Sequence, residues 1–241
     1  FETVTIVKEG LIDHSDSLGT AGRFGAGDVQ WMTAGSGILH QEMPHGNISG
    51  QMHGFQLWGN LPAAQKMTAP RYQDVTAEDI PIVIDDDGTR VKVITGNFWG
   101  KKGPVDGIAA DPQYLDIWVP AGVRKTFKVE TERHAFAYIF EGSGRFRDAS
   151  KPYGVRVEKE VNGEEVHLRD LSGNRTLVQF DRGDEVTVQA GDQGLRFLLV
   201  SGKPLKEPVA WHGPIVMNTR EELHQAFTDL RNNRFIKPKD H

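Results

Sequence analysis

Apolar and polar residues alternate along much of this chain. The opening run Phe1-Glu2-Thr3-Val4-Thr5-Ile6-Val7 sets the pattern, and a period of two is that of a strand whose two faces meet different surroundings. Alternating or β-branched runs recur at 29–32, 55–58, 90–94, 114–119, 135–140, 176–180, 185–189 and 195–200. Between them lie Gly-Asp, Asp-Gly, Asn-Gly and Pro-x-Gly marks that favour turns. Many short strands with this punctuation predict an all-β chain built as a barrel or sandwich. Asp85-Asp86-Asp87-Gly88 reads as a solvated turn, because the residues after it lack the spaced oxygens and closing Glu of a calcium loop. One segment departs from the strand pattern. Thr219-Arg220-Glu221-Glu222 supplies a capping box, and Leu223, Ala226, Phe227 and Leu230 repeat at helical spacing, which predicts a helix over about 219–231. Arg231, Arg234, Lys237 and Lys239 then form a small basic, solvated end.

Turns used as anchors expose an internal repeat. An alternating run ends at Glu9-Gly10, and Gly27-Asp28 opens the next strand after a variable loop. The order returns at Glu141-Gly142 and Gly183-Asp184, separated by a longer charged insertion through about 147–175. Two copies of one β-barrel module account for the length better than one large barrel. The join falls in the Gly, Pro and Asp cluster at 103–111, giving modules of 1–107 and 108–241.

Composition narrows the chemistry. Lys and Arg total 28 against 33 Asp and Glu, a formal charge of −5, which disfavours direct electrostatic binding of nucleic acid. Cysteine is absent, so thiolate metal sites, Cys nucleophiles and disulfide scaffolds are excluded. No apolar run has the length of a membrane span, and no leader is evident, so a cytoplasmic location is expected, or a nuclear one in a eukaryote. The remaining chemistry belongs to His, carboxylates, hydroxyls or a bound metal. The richest segment is Gly35-Ser36-Gly37-Ile38-Leu39-His40-Gln41-Glu42-Met43-Pro44. If it is extended, His40 and Glu42 project from one face. Imidazole plus carboxylate suits a divalent first-row metal, although His-x-Glu alone is a weak signal.

The run from Gly27-Asp28-Val29-Gln30-Trp31-Met32-Thr33-Ala34-Gly35-Ser36-Gly37 through His40 and Glu42 resembles the pirin family. So do His53-Gly54-Phe55-Gln56-Leu57-Trp58, Pro70-Arg71-Tyr72-Gln73, Gly202-Lys203-Pro204-Leu205, and His212-Gly213-Pro214-Ile215-Val216-Met217-Asn218-Thr219. The resemblance implies two tandem cupin (double-stranded β-helix) barrels with a short C-terminal α-helix. It also implies one mononuclear iron in the first barrel, held by three His and one Glu. His40 and Glu42 match two of those ligands. The other two lie in a His-Pro-His-Arg-Gly stretch before the family's Phe-Glu-Thr-Val run, and this sequence begins at that Phe. Two further His ligands are therefore expected before Phe1, together with strands missing from the first barrel. Fe(II) is the metal implied, and other divalent first-row ions would also accept these donors.

The remaining histidines divide by context. His14 resembles a recurrent His-x-Asp of the family and is expected to support the site by hydrogen bonding rather than ligate. His53 either lines the cavity or is structural, and His45 is expected in an exposed loop. Trp31, Met32, Phe55, Leu57 and Trp58 could wall a pocket for a flat aromatic molecule, or serve only as core. Aligned on its Gly turns, the second module places Lys128, Glu130, Gln189, Ala190 and Arg196 where ligands would stand, so it is expected to lack a metal, with His134 and His167 isolated. Two functions follow from the resemblance. One is a flavonol (quercetin) 2,3-dioxygenase in which Glu42 ligates or acts as general base. The other is an iron-dependent, redox-sensing regulatory protein that binds a transcription factor or metabolic enzyme without turnover.

Overall fold

The computed structural model of the chain describes residues 1–147, 156–161, 164–167 and 172–237. Much of the charged insertion, the His167 side chain and Lys239 lie outside what is described. The chain forms two compact units, Phe1–Asp79 with Leu205–His241, and Ile80–Pro204.

The first unit contains β1 (Glu2–Glu9), β2 (Leu11–Asp16), β3 (Ala21–Gly25), β4 (Val29–Thr33), β5 (His40–His45), β6 (His53–Gly59) and β7 (Arg71–Val75). They make two antiparallel sheets, ordered β6-β1-β4-β7 and β3-β2-β5. Central β1 sorts its side chains by alternation. Val4 stands opposite Trp31 and Leu57, and Ile6 opposite Val29 and Phe55, so one face is apolar. Thr5 stands opposite Gln30 and Gln56, and Thr3 opposite Met32 and Trp58, so the other is largely polar. That polar face is turned toward β2 and β5, because the hydrogen bonds from Thr5 and Gln56 to Glu42 and between Tyr72 and His14 cross from sheet to sheet.

The second unit contains β8 (Ile82–Ile84), β9 (Arg90–Thr95), β10 (Asn97–Phe98), β11 (Lys101–Lys102), β12 (Gln113–Val119), β13 (Arg124–Lys128), β14 (His134–Arg147), β15 (Arg156–Val161), β16 (Glu164–His167), β17 (Ser172–Gly173), β18 (Thr176–Gln179) and β19 (Glu185–Gly202). The order β16-β15-β18-β14-β19-β12-β9-β8 forms one large sheet, with β13 also on β19. The runs at 185–189 and 195–200, read as separate strands, are one bent strand. Phe127, Phe197, Leu115, Ile117, Ile139 and Val188 pack as one buried apolar core. The Asp85–Gly88 turn is closed by an Asp85 N to Thr89 O hydrogen bond, and Lys125 caps it with ion pairs to Asp85 and Asp87.

These units have other bounds than the sequence division at 107. Strand β8 pairs with β9 and β9 with β12, so residues 80–107 are hydrogen-bonded into the second unit. After Pro204 the chain returns to the first, where β20 (Ala210–His212), β21 (Ile215–Met217) and α1 (Arg220–Arg231) complete it. The helix ends where the sequence places it. Thr219 accepts from Glu222 N, and Glu222 reaches back to Thr219 N at 2.9 Å. The repeat also has a shared physical basis in its turns. Gly10 and Gly142 both take a left-handed conformation, with φ of +82° and +70°, and a side chain at either would overlap a carbonyl oxygen, that of His45 or Gly194. Among the described residues no helix is long and apolar enough to cross a membrane.

Candidate metal centre

Strands β2 and β5 pair so that His14 stands opposite Glu42 and Asp16 opposite His40. Residues two apart on a strand share a face. His40 and Glu42 therefore lie side by side, as the spacing suggests, and His14 joins them from the neighbouring strand. One ligand-capable atom from each of the three lies within 4.8 Å of the other two. The geometry is held locally by Asp16, whose Oδ1 accepts from Leu18 N at 2.8 Å and Thr20 N at 2.9 Å and so fixes the turn that ends β2.

Each donor has a distinct environment. The His14 side chain is buried, with Nε2 3.1 Å from the Tyr72 hydroxyl and Nδ1 buried without a hydrogen-bond partner among the described residues. Burial, reinforced by the neighbouring His40 charge, pushes His14 below the ordinary imidazole range and favours its neutral, ligating form. Burial pushes Tyr72 above the ordinary phenol range, with the Asp16, Asp74 and Glu42 carboxylates adding to it, so its hydroxyl keeps its proton. Glu42 is half-buried, and both of its oxygens accept hydrogen bonds: Oε1 from Thr5 Oγ1 at 3.2 Å, and Oε2 from Gln56 Nε2 at 2.8 Å. A buried nitrogen without a partner is costly unless something else satisfies it. With a second imidazole and a carboxylate within reach, His14 joins a group of donors that suits a divalent first-row cation.

The other sequence candidates separate. His14 lies on β2 rather than in a loop, and its ring comes beside the His40–Glu42 pair. His45 is not in a loop: it ends β5, where it pairs with Asp13 at 3.0 Å. His53 lies on the face of β6 opposite to Gln56 and packs edge-on against Phe55 at 5.1 Å between ring centroids. Of the five suggested pocket walls, Trp31, Phe55 and Leu57 belong to the apolar face of the sheet, whereas Met32 and Trp58 share the polar face with Gln56. Met32 also lines a cavity of about 370 Å³ that His40 borders, with Ile38, Leu39, Ile215, Ala226 and Phe235 among its mainly apolar walls. Tyr72 and Gln56 lie within sequence motifs, and only the fold brings them to the site. The Arg-Tyr-Gln-Asp alternation of β7, which puts Tyr72 and Asp74 on one face, is the signal that could have found the first.

A polar-lined β module carrying a clustered His, His and Glu, followed by a second β module with an apolar core, is a two-module β protein with a candidate metal centre in its first unit. Residues 1–59 match the family model for pirin, and residues 114–236 match that for the pirin C-terminal cupin domain. The chain is 44% identical over 236 residues to a pirin-like protein of Caulobacter vibrioides, covering 98% of this chain and 77% of that one. It is 38% identical to Pirin-1 of Arabidopsis thaliana, covering 96% and 74%. Its fold matches the crystal structure of a quercetin 2,3-dioxygenase from Acinetobacter baumannii with a TM-score of 0.81 and 32% identity, over 98% of this chain and 76% of that one. The chain belongs to the pirin family, and its fold is the cupin fold of that family.

Proposed function

We propose that this protein is a mononuclear non-heme iron protein that acts as a flavonol 2,3-dioxygenase. The observation that carries the reading is the meeting of His14, His40 and Glu42 at the edge of an apolar cavity of about 370 Å³ bordered by His40. That volume falls within the range of ligand pockets for small molecules. His40 and Glu42 would hold the ion, with His14 Nδ1 as a third donor from the described residues. When bound, Fe(II) supplies Lewis acidity and redox capacity toward dioxygen. The likeness to a quercetin 2,3-dioxygenase supports a flavonol as the substrate.

The residues of the chain divide the remaining work. Apolar walls at Met32, Ile38, Leu39 and Ile215 favour a flat aromatic molecule and exclude water from around it. Glu42, fixed through both oxygens, is the group positioned to accept the proton of the flavonol hydroxyl. The Tyr72 hydroxyl, which keeps its proton beside the Asp16 carboxylate, would accept from His14 Nε2–H, orienting that ring and leaving Nδ1 unprotonated as a donor. The test is oxygen uptake with quercetin by the iron-loaded full-length protein. Uptake that disappears in Glu42→Ala supports the assignment, and uptake no faster than that of free iron in the wild type removes it.

A further inference from the structure

Glu42 sits at the end of a short hydrogen-bonded chain that leads to Trp58. Gln56 and Trp58 share one face of β6. The Trp58 indole Nε1 donates to Gln56 Oε1 at 3.0 Å, and Gln56 Nε2 donates to Glu42 Oε2 at 2.8 Å. The same Nε2 reaches Thr5 Oγ1 at 3.1 Å, while that hydroxyl donates to Glu42 Oε1 at 3.2 Å. Trp58 is 49% exposed and stacks on Phe1, with centroids 4.7 Å apart and planes inclined by 22°.

The chemistry of these groups fixes the direction of the chain. A glutamine amide can usually be turned over, exchanging oxygen for NH₂. Here it cannot without loss, since an indole N–H only donates and an ionised carboxylate only accepts. Turned over, Gln56 would set a donor against a donor at Trp58 and an oxygen against an oxygen at Glu42. Trp58 thus holds Gln56 in one orientation, and Gln56 with Thr5 holds the carboxylate plane of Glu42. The geometry points to Gln56 as the positioning residue of the metal centre, locked by Trp58, so that metal binding at Glu42 is communicated to the Trp58 indole. This rests on the metal reading given above and adds to it the residue that sets the carboxylate and the indole that reports it.

The test is a titration of the full-length protein with Co(II), read by its visible absorption bands and by tryptophan emission, in wild type, Gln56→Met, Trp58→Phe and the double variant. Partners that orient metal ligands cost about 10–100-fold in metal affinity when removed. Gln56→Met is expected to weaken Co(II) binding by that factor and to change the visible bands. Trp58→Phe keeps the stacked ring but loses the N–H; it is expected to weaken binding less and to abolish most of the metal-induced change in emission. In the double variant the loss should match that of Gln56→Met alone, because the indole acts only through the amide. Gln56 is exposed, and thermal unfolding of each variant checks that the fold is kept. Wild-type protein that shows no Co(II) binding overturns the metal reading and this proposal with it. Wild-type binding with unchanged affinity and bands in Gln56→Met, or strictly additive losses in the double variant, overturns the proposal alone.

Discussion

Replacing Gly142 by alanine tests whether the turn that anchors the repeat is set by backbone geometry. Gly142 has φ of +70°, and a Cβ there would lie 2.9 Å from the Gly194 carbonyl carbon and 3.3 Å from Leu195 Cα while overlapping the Gly194 oxygen. Gly122, in the same unit, has φ of +71° but nothing within 4 Å of its Cβ position. The left-handed conformation costs an L-residue about 1–2 kcal/mol, and the stiffer unfolded chain returns about 0.4–1 kcal/mol. Gly122→Ala should therefore destabilise by about 1 kcal/mol. At Gly142 the same backbone cost is joined by a collision of main chain with main chain, where β14 and β19 must part and neighbouring ladder hydrogen bonds, each worth about 1 kcal/mol, weaken. The expected total is about 3 kcal/mol, a fall in melting temperature of about 6–12 °C for a chain of this size. Urea unfolding followed by circular dichroism, with both variants compared at one protein concentration, measures the difference. Equal destabilisation within about 0.5 kcal/mol would refute the reasoning, because it would mean that β14 and β19 yield freely at the turn.

The remaining predictions concern the site and the helix. Burial holds His14 below its ordinary pKa of about 6.5, so the unfolded chain takes up the proton first. Its contribution to the stability of the metal-free protein is full above about pH 6.5 and declines as pH falls through that value. The slope of unfolding free energy against pH should flatten in His14→Gln, and a slope left unchanged by the substitution would exclude His14 as its source. Thr219→Ala removes the capping hydrogen bond to Glu222 N and is expected to cost about 1 kcal/mol. Faster amide exchange confined to the first turn of α1 would register that loss, and protection equal to wild type would show that the cap carries no stability.

What could be read in the sequence was what is local. The helix is encoded within fourteen or so residues by Thr219, Glu222 and the spacing of Leu223, Ala226 and Leu230, and it forms where those residues place it. Strands β1, β4, β9 and β12 were legible because Val4, Ile6, Val29, Val91, Val93, Leu115 and Ile117 supply apolar positions at strand spacing. Strand β5 was visible only as a possibility. Its residues His40-Gln41-Glu42-Met43-Pro44-His45 are almost all exposed or half-exposed, so burial imposes no alternation on them. Strand β2 was missed for a related reason, since the apolar position Ile12 is followed inward by His14 and Asp16 rather than by further hydrophobes. The role of His14 depends on its pairing with Glu42, 28 residues away by the numbering of the two positions, and register of that kind is set by the sheet and not by either strand alone. The division at 107 follows a Gly and Pro cluster that marks a loop, and the pairing of β9 with β12 runs across that loop.

The two interiors differ in what their central strands turn inward. In the second, β12 turns Leu115, Ile117 and Val119 inward and leaves Asp116 to pair with Arg196 at 3.1 Å. Phe127, Phe197 and Phe146 add ring contacts at 5.3–5.9 Å between centroids, so the described part of that interior is an apolar core. In the first, β1 turns Thr3 and Thr5 toward the facing sheet, and Gln30, Gln56 and Tyr72 stand on the same face. Those groups must be satisfied by hydrogen bonds, and they are: Gln30 with Asp74, Gln56 with Glu42, Tyr72 with His14. A His-x-Glu pair grafted among Phe127 and Phe197 would bury a charge with no partner, at a cost that the ordinary stability of a domain could not absorb. The same pair on β5 meets Thr5 and Gln56 donors already aimed at it. The shared fold supplies the face, and the residues along the inner face of one strand decide whether it becomes a core or a coordination site.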